Sequence, residues 1–167
     1  YNFQEAITMS RITSSKNSYR WLDKGFITEG ASNNIYFKYE YKNQAKVLLA
    51  ILNSKVGEYL LSLYNQTINV MPDEIRKFPL VLGGIQEEII RITDENIDIS
   101  QNDWNLNETS WDFVKNPLIS HNINDNNLYK SSFKVRDCLQ QLNDDLESAF
   151  IKVKENEIRL NELILKM

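Results

Sequence analysis

KNQAKVLLAILNSKVGEYLLSLYN, residues 42–65, decides how the rest of the chain is read. Val47, Leu48, Ile51, Leu52, Val56, Tyr59, Leu60 and Leu63 recur at spacings of one, three and four. That pattern lays a wide apolar stripe along a helix of about 3.6 residues per turn. Lys46, Asn53, Lys55, Glu58 and Ser62 fall mostly on the other side. So wide a stripe has to be buried, and the segment reads as one scaffold helix packed on a sheet. None of its residues carries chemistry.

The strands for that sheet lie upstream. Residues 6–12, AITMSRI, read as a strand, and TSSKNS, residues 13–18, as a loop. Tyr19, Trp21 and Leu22 begin a second strand, and Asp23-Lys24-Gly25 suits a hairpin turn into a third, Phe26-Ile27-Thr28-Glu29. Gly30 through Asn34 form another turn before Ile35-Tyr36-Phe37-Lys38-Tyr39, rich in β-branched and aromatic residues. A layer of three or four short strands cannot support itself, so the helix covers one face.

Downstream, Pro72 suits the first turn of a brief PDEIRKF helix, and Pro79 keeps Phe78 extended. Ile85, Ile89, Ile90 and Ile92 predict a second amphipathic helix ending near Asn96. Residues 97–127 are polar but hold Trp104, Trp111 and Phe113, and read as an ordered wrap with Ser100 capping a turn and a linker at 120–127. From Val135 a heptad seam runs through Leu139, Leu142, Leu146, Ala149, Val153, Asn156, Leu160, Leu163 and Met167. It is either one long helix or a pair folded back around Asn143–Asp145 or Lys154–Asn156. The fold class expected is α+β: a small antiparallel sheet packed on a long amphipathic helix, followed by a helical C-terminal arm or hairpin.

Composition narrows the functional classes. At 167 residues the chain fits one domain, or a small domain with an extension. Gly at 5 and Pro at 3 favour long elements over a loop-rich sandwich. No apolar run approaches the roughly 20 residues needed to span a bilayer. The single Cys138 excludes an internal disulfide framework and fits a reducing compartment, so a cytoplasmic location is expected. The opening YNFQEAITMSRI lacks Met and a signal pattern, and the chain reads as a piece of a longer protein. Net charge is −4, but unevenly spread. Residues 1–86 hold ten Lys and Arg against seven Asp and Glu, whereas residues 87–167 hold nine against sixteen. If any part meets a polyanion, it is the first half.

No local pattern carries a recognisable reaction: there is no glycine-rich phosphate loop, HExxH or GxSxG. His121 stands alone, Cys138 reads as a small apolar residue of the seam, and the carboxylate runs at Asp94/Glu95/Asp98 and Asp144/Asp145/Glu147 read as solvated helix faces. The stretch Ser10 to Trp21 differs, interleaving cations, hydroxyls and aromatics on a predicted hairpin. Arg and Lys neutralise phosphate, while Ser, Thr and Asn donate to phosphate or bases.

Several phrases, in order, resemble a known family. MSRITSSKNSYRWLDKGFI, residues 9–27, is similar to W-S-K-I-S-S-G-K-x-S-F-R-Y-x-x-K-G-F-I, and Leu52-Asn53-Ser54-Lys55-Val56 to L-L-N-S-K-V. Asn65 to Val70 resembles N-P-T-L-N-F-Q, and Asp73 to Pro79 resembles D-I-x-x-L-P. Asp103-Trp104, Glu108-Thr109-Ser110-Trp111-Asp112-Phe113 and Asn116-Pro117-Leu118 are similar to D-W-D-S-F-E-T-S-W-D-F-x-x-H-P-L, and Asn156 to Asn161 resembles N-E-E-E-L-N. Together they resemble the C-terminal target-recognition region of adenine-specific DNA methyltransferases of the phage-defence (BREX, PglX-like) type, with related regions in restriction–modification enzymes like Eco57I and TaqI. The family's Gly after Ser-Ser is absent at Ser15-Lys16, and Gln66 replaces its Pro.

The resemblance implies a parent that transfers methyl from S-adenosylmethionine to adenine N6 in double-stranded DNA. Its N-P-P-Y/F and cofactor motifs lie in an upstream domain, and Asn116-Pro117-Leu118 is no degenerate copy, lacking the second Pro and the aromatic. This segment alone is therefore expected to hold no catalytic, cofactor-binding or metal-binding residue. Its expected organisation is a target-recognition-like portion at 1–99, a Trp-anchored wrap and linker at 100–127, and a helical arm at 128–167. Phosphate contacts are expected from Arg11, Lys16, Arg20, Lys24 and either Lys38 or Lys42, and base readout from among Thr13, Ser14, Ser15, Asn17, Tyr19, Asn33 and Asn34. The expected partners are double-stranded DNA, the methyltransferase domain and other defence-system proteins, with no membrane. The competing reading is a structural or protein-interaction module built on the helical arm.

Overall fold

The computed structural model describes residues 3–13, 16–64, 67, 70, 72–80, 86–119 and 135–167. The expected linker at 120–127 lies outside them. The chain is α+β, and it divides into two compact units, Tyr1–Asp94 with Glu157–Met167 and Glu95–Asn156.

The first unit holds a three-stranded antiparallel sheet of β1 (Ala6–Ser10), β2 (Tyr19–Leu22) and β3 (Ser32–Tyr36), in the order β2-β1-β3. Strand β1 is central: Thr8 faces Arg20 on one side and Asn34 on the other. Alternation therefore puts Ile7, Met9, Tyr19, Trp21, Asn33 and Ile35 on one face, and Ala6, Thr8, Ser10, Arg20, Leu22, Ser32, Asn34 and Tyr36 on the opposite one.

Two strand expectations fail here. Phe26–Glu29 is not a strand, and Asp23–Gly25 is not a hairpin turn: residues 23–31 connect β2 to β3, with Gly25 at φ 98°. A hairpin return needs a free edge on β2, and that edge is taken. The Asn53 side-chain amide donates to the Tyr19 carbonyl at 2.9 Å and its Oδ1 accepts from the Tyr19 N–H at 3.0 Å. Strand β3 also starts three residues earlier than Ile35. Asn33 and Asn34, poor strand formers, are held there by amide bonds to the Val70 carbonyl and to Thr28 Oγ1, each 2.7 Å.

The segment expected as one helix is two, α1 (Lys42–Asn53) and α2 (Lys55–Tyr64), bent by 78°. A short 3₁₀ turn, Tyr39–Tyr41, leads into α1. The break has a local cause. Ser54 leaves helical geometry at ψ 162°, and its Oγ accepts from the Gly57 N–H at 3.0 Å while donating to the Ile51 carbonyl at 2.6 Å. This is an N-cap for α2. Gly57 permits it, because a Cβ there would sit 2.0 Å from the Ile51 carbonyl oxygen. The apolar stripe splits accordingly. Helix α1 buries Val47, Leu49, Ile51 and Leu52, whereas Tyr59, Leu63 and Tyr64 of α2 are exposed. Helix α1 covers the Ile7 face of the sheet, with the Lys42 ammonium 5.6 Å from the Trp21 ring centre.

Helix α3 (Pro72–Arg76) matches its expected place. Helix α4 (Gln86–Asn105) runs nine residues beyond Asn96. No Gly or Pro interrupts residues 86–105, so the polar DISQND run continues the helix, and Ser100 lies inside it rather than capping a turn. Helix α5 (Val135–Ile164) is one continuous helix of 30 residues, which decides between the long helix and the folded-back pair. Ile7, Val47, Leu52, Val70, Ile89 and Ile92, all in the first unit, are the largest fully buried side chains. Each contributes on the order of 1.5–3 kcal/mol through burial.

In the second unit, Trp104 (57 % exposed) and Trp111 (96 %) do not anchor a wrap as expected. The seated residue of that block is Ser110, whose hydroxyl donates to Asn105 Oδ1 at 2.7 Å and accepts from the Asp112 N–H at 3.2 Å. Asn156, the polar break in the seam, is buried and donates to Glu95 Oε2 at 3.0 Å and Asn96 Oδ1 at 2.8 Å. Lys152 pairs with Glu95 at 3.2 Å. The amide group thus satisfies a buried polar position that a Leu would strand.

Candidate nucleic-acid interface

The residues singled out from sequence fall into three groups in the structure. Arg11, Arg20 and Lys24 are exposed, and among the described residues none of them has an ion-pair partner. Lys38 is exposed too, with Glu40 at 3.9 Å, a loose pair between solvated groups. A second group is occupied by the fold. Lys16 meets Glu58 at 2.8 Å, and Lys42 meets Glu5 at 2.7 Å. Asn33 and Asn34 hold β3 as above. The Lys42 ammonium is raised above its ordinary pKa, first by its hydrogen bond to Glu5, against the opposing effect of desolvation.

Tyr19 belongs to the occupied group for another reason. Its side chain is buried, its hydroxyl meets no hydrogen-bond partner among the described residues, and burial, with a lesser push from Glu74, raises its pKa to about 12. Asn17 is half-buried, its Oδ1 without a partner among the described residues, and Thr13 is half-buried. Ser14 and Ser15 lie outside the described residues.

The elements place the free cations along the sheet. Arg11 follows the Ser10 end of β1, where its backbone N–H donates to the Ala31 carbonyl at 3.0 Å and its carbonyl accepts from the Val70 N–H at 3.1 Å. Arg20 stands on the face opposite α1, in one cross-strand row with Thr8 and Asn34. Lys24 and Lys38 follow the other ends of β2 and β3, at the Ala6 end of the sheet. The 23–31 connection reaches this face at Thr28, which accepts from Asn34.

At the Ala6 end there is also a cleft of about 600 Å³ lined by Phe3, Gln4, Glu5, Lys24 and residues 36–39. Sequence reading missed it. Its only outward sign is the density of aromatic residues at 36–39, and its other wall comes from a non-adjacent segment.

No family model matches the chain. Its sequence is 32 % identical over 139 residues to the adenine-specific methyltransferase BrxX of Escherichia coli O9:H4 (strain HS), covering 83 % of this chain. It is 28 % identical over 172 residues to the adenine-specific methyltransferase PglX of Lacticaseibacillus casei (strain Zhang), covering all of it. The chain is related to the PglX-like methyltransferases of BREX. It spans 11 % and 13 % of the lengths of these two BREX relatives.

The phrases that carry the BREX resemblance have structural work to do. In Leu52-Asn53-Ser54-Lys55, Leu52 is core, Asn53 seals the β2 edge and Ser54 turns the chain. Lys55 offers its backbone N–H to Asn161 Oδ1 at 2.8 Å, so the second Asn of the Asn156–Asn161 phrase caps the same elbow. Arg159, between them, holds Glu88 at 2.9 Å.

Proposed function

We propose that this chain is a DNA target-recognition segment of an adenine-specific methyltransferase, holding double-stranded DNA in register while S-adenosylmethionine-dependent methylation of adenine N6 takes place elsewhere in the whole protein. The observation that carries this reading is a set of exposed cations along the sheet that have no ion-pair partner among the described residues. Arg11, Arg20 and Lys24 mark one end, the middle and the other end of β1 and β2. At about 3.3 Å per residue they span roughly 20 Å, the rise of about six base pairs. Drawing the target adenine out of the helix costs a few kcal/mol, which phosphate contacts offset by fixing the flanking DNA.

The test is the salt dependence of binding. Arg11→Ala, Arg20→Ala and Lys24→Ala together should reduce the slope of log K against log salt by about 2 to 3, since each phosphate contact contributes about 0.9. Lys16→Ala should change it less. An unchanged slope in an anisotropy titration of labelled duplex would overturn the assignment.

A second reading applies to α5. Leu139 (44 % exposed), Phe150 (70 %) and Ile151 (47 %) lie open along its length, while Asn156, Leu160 and Leu163 are buried. That favours the N-terminal part of α5 as a protein-docking surface. Leu139→Ser and Phe150→Ser should then weaken association with the methyltransferase portion and leave the DNA salt slope as it was.

A further inference from the structure

We infer that the cleft at the Ala6 end of the sheet takes one unstacked nucleotide of the bound DNA, its base against aromatic side chains and its phosphate on Lys24 and Lys38. The inference rests on the proposed DNA-recognition role and deepens it by naming what the cleft accepts. Three observations carry it. The cleft, about 600 Å³, has room for a nucleotide and combines aromatic and cationic walls, the pairing that single-stranded nucleic acid requires. Phe3 and Tyr39 on its walls are 57 % and 80 % exposed, so both aromatic side chains are accessible from solvent. By contrast Phe37, on the same wall, is already spent on Trp21, with ring centres 5.2 Å apart.

The third observation is backbone conformation. Phe3 is the non-glycine residue with positive φ among the described residues, at 68°. A bulky side chain in the left-handed region is a costly conformation that surrounding structure must hold. Here the Phe3 N–H donates to the Phe26 carbonyl at 3.0 Å, and the Phe3 carbonyl accepts from the Gly25 N–H at 3.3 Å. These bonds fix Phe3 beside Lys24. Three carboxylates stand near the site: Glu5 on the cleft wall, Asp23 next to Lys24 in sequence, and Glu40 beside Lys38. Glu5 is neutralised by Lys42 at 2.7 Å, and Glu40 stands 3.9 Å from Lys38 in solvent.

The experiment compares a labelled duplex carrying a single-adenine bulge with the same duplex fully paired, both titrated with the 167-residue chain by anisotropy. The bulged duplex should bind about tenfold more tightly, the scale of one base–aromatic stack. Phe3→Leu and Tyr39→Leu keep apolar bulk while removing the ring, and should erase that preference without changing affinity for paired duplex. Arg11→Ala with Arg20→Ala should weaken both duplexes alike and preserve the ratio. Binding of paired duplex with no preference for the bulge, or a preference that survives Phe3→Leu and Tyr39→Leu, overturns the cleft assignment and leaves the recognition role standing. Absence of binding to either duplex overturns both.

Discussion

Gly57→Ala puts the elbow between α1 and α2 to a test in which two physical effects have opposite signs. Inside an ordinary exposed helix, Gly→Ala stabilises by about 1 kcal/mol. At position 57 the added Cβ would meet the Ile51 carbonyl oxygen at 2.0 Å, the Ile51 carbonyl carbon at 2.9 Å and Leu52 Cα at 3.1 Å. All three are backbone atoms, so no side chain can rotate away. Relief requires the two helices to part by about 1 Å, a displacement of the overpacking kind that costs about 1–3 kcal/mol. It also stretches the bond from the Gly57 N–H to Ser54 Oγ, a cap worth about 1 kcal/mol. Against the propensity gain, the net loss should be about 1–3 kcal/mol. Urea unfolding reads this directly when Trp104 and Trp111 are replaced by Phe, leaving Trp21 as the reporter for the first unit. With a slope of about 1–3 kcal/mol per molar, the midpoint should fall by about 1 M. A midpoint unchanged or raised would show that the elbow does not constrain position 57, and the account of the bend would fail with it.

Other outcomes follow from the same geometry. Asn53→Ala strips both bonds from the Tyr19 backbone and should cost about 1–3 kcal/mol, with faster hydrogen exchange at the Tyr19 amide; unchanged protection there would refute the sealed edge. Tyr19→Phe deletes a buried hydroxyl without a partner among the described residues and should leave the chain at least as stable at pH 7. Its folded pKa of about 12 lies above the unfolded value near 10. The wild-type tyrosine therefore keeps its contribution below pH 10 and loses stability as pH rises towards 12, a decline that Tyr19→Phe should flatten in pH-dependent denaturation. Asn156→Leu removes one donor from Glu95, which keeps Lys152, and one from Asn96, and should lower the thermal midpoint, whereas Trp111→Ala, at an exposed position, should change stability by no more than about 0.5 kcal/mol.

Periodicity made helical segments legible, since apolar spacing is a local property: α3 and α5 lie where their patterns put them, and residues 42–65 are helical on either side of one break. Composition likewise marked the stretch Ser10 to Trp21, with its cations, hydroxyls and aromatics, as the candidate nucleic-acid face. What no local pattern contains is whether a backbone edge is free or a side chain already has a partner. The apolar stripe runs through residues 42–65 without a lapse in phase, and only the Ser54 cap and the close approach at Gly57 reveal that the helix turns there. The hairpin at Asp23–Gly25 had suitable residues but no vacant edge, because Asn53, 34 positions from Tyr19, had taken it. The same long-range pairing gave Lys16, Asn33 and Asn34 partners within the fold, buried Tyr19, and assembled the cleft from segments far apart in sequence. Spacing along a chain determines which face a residue occupies; which groups remain unsatisfied on that face is decided only when distant segments meet.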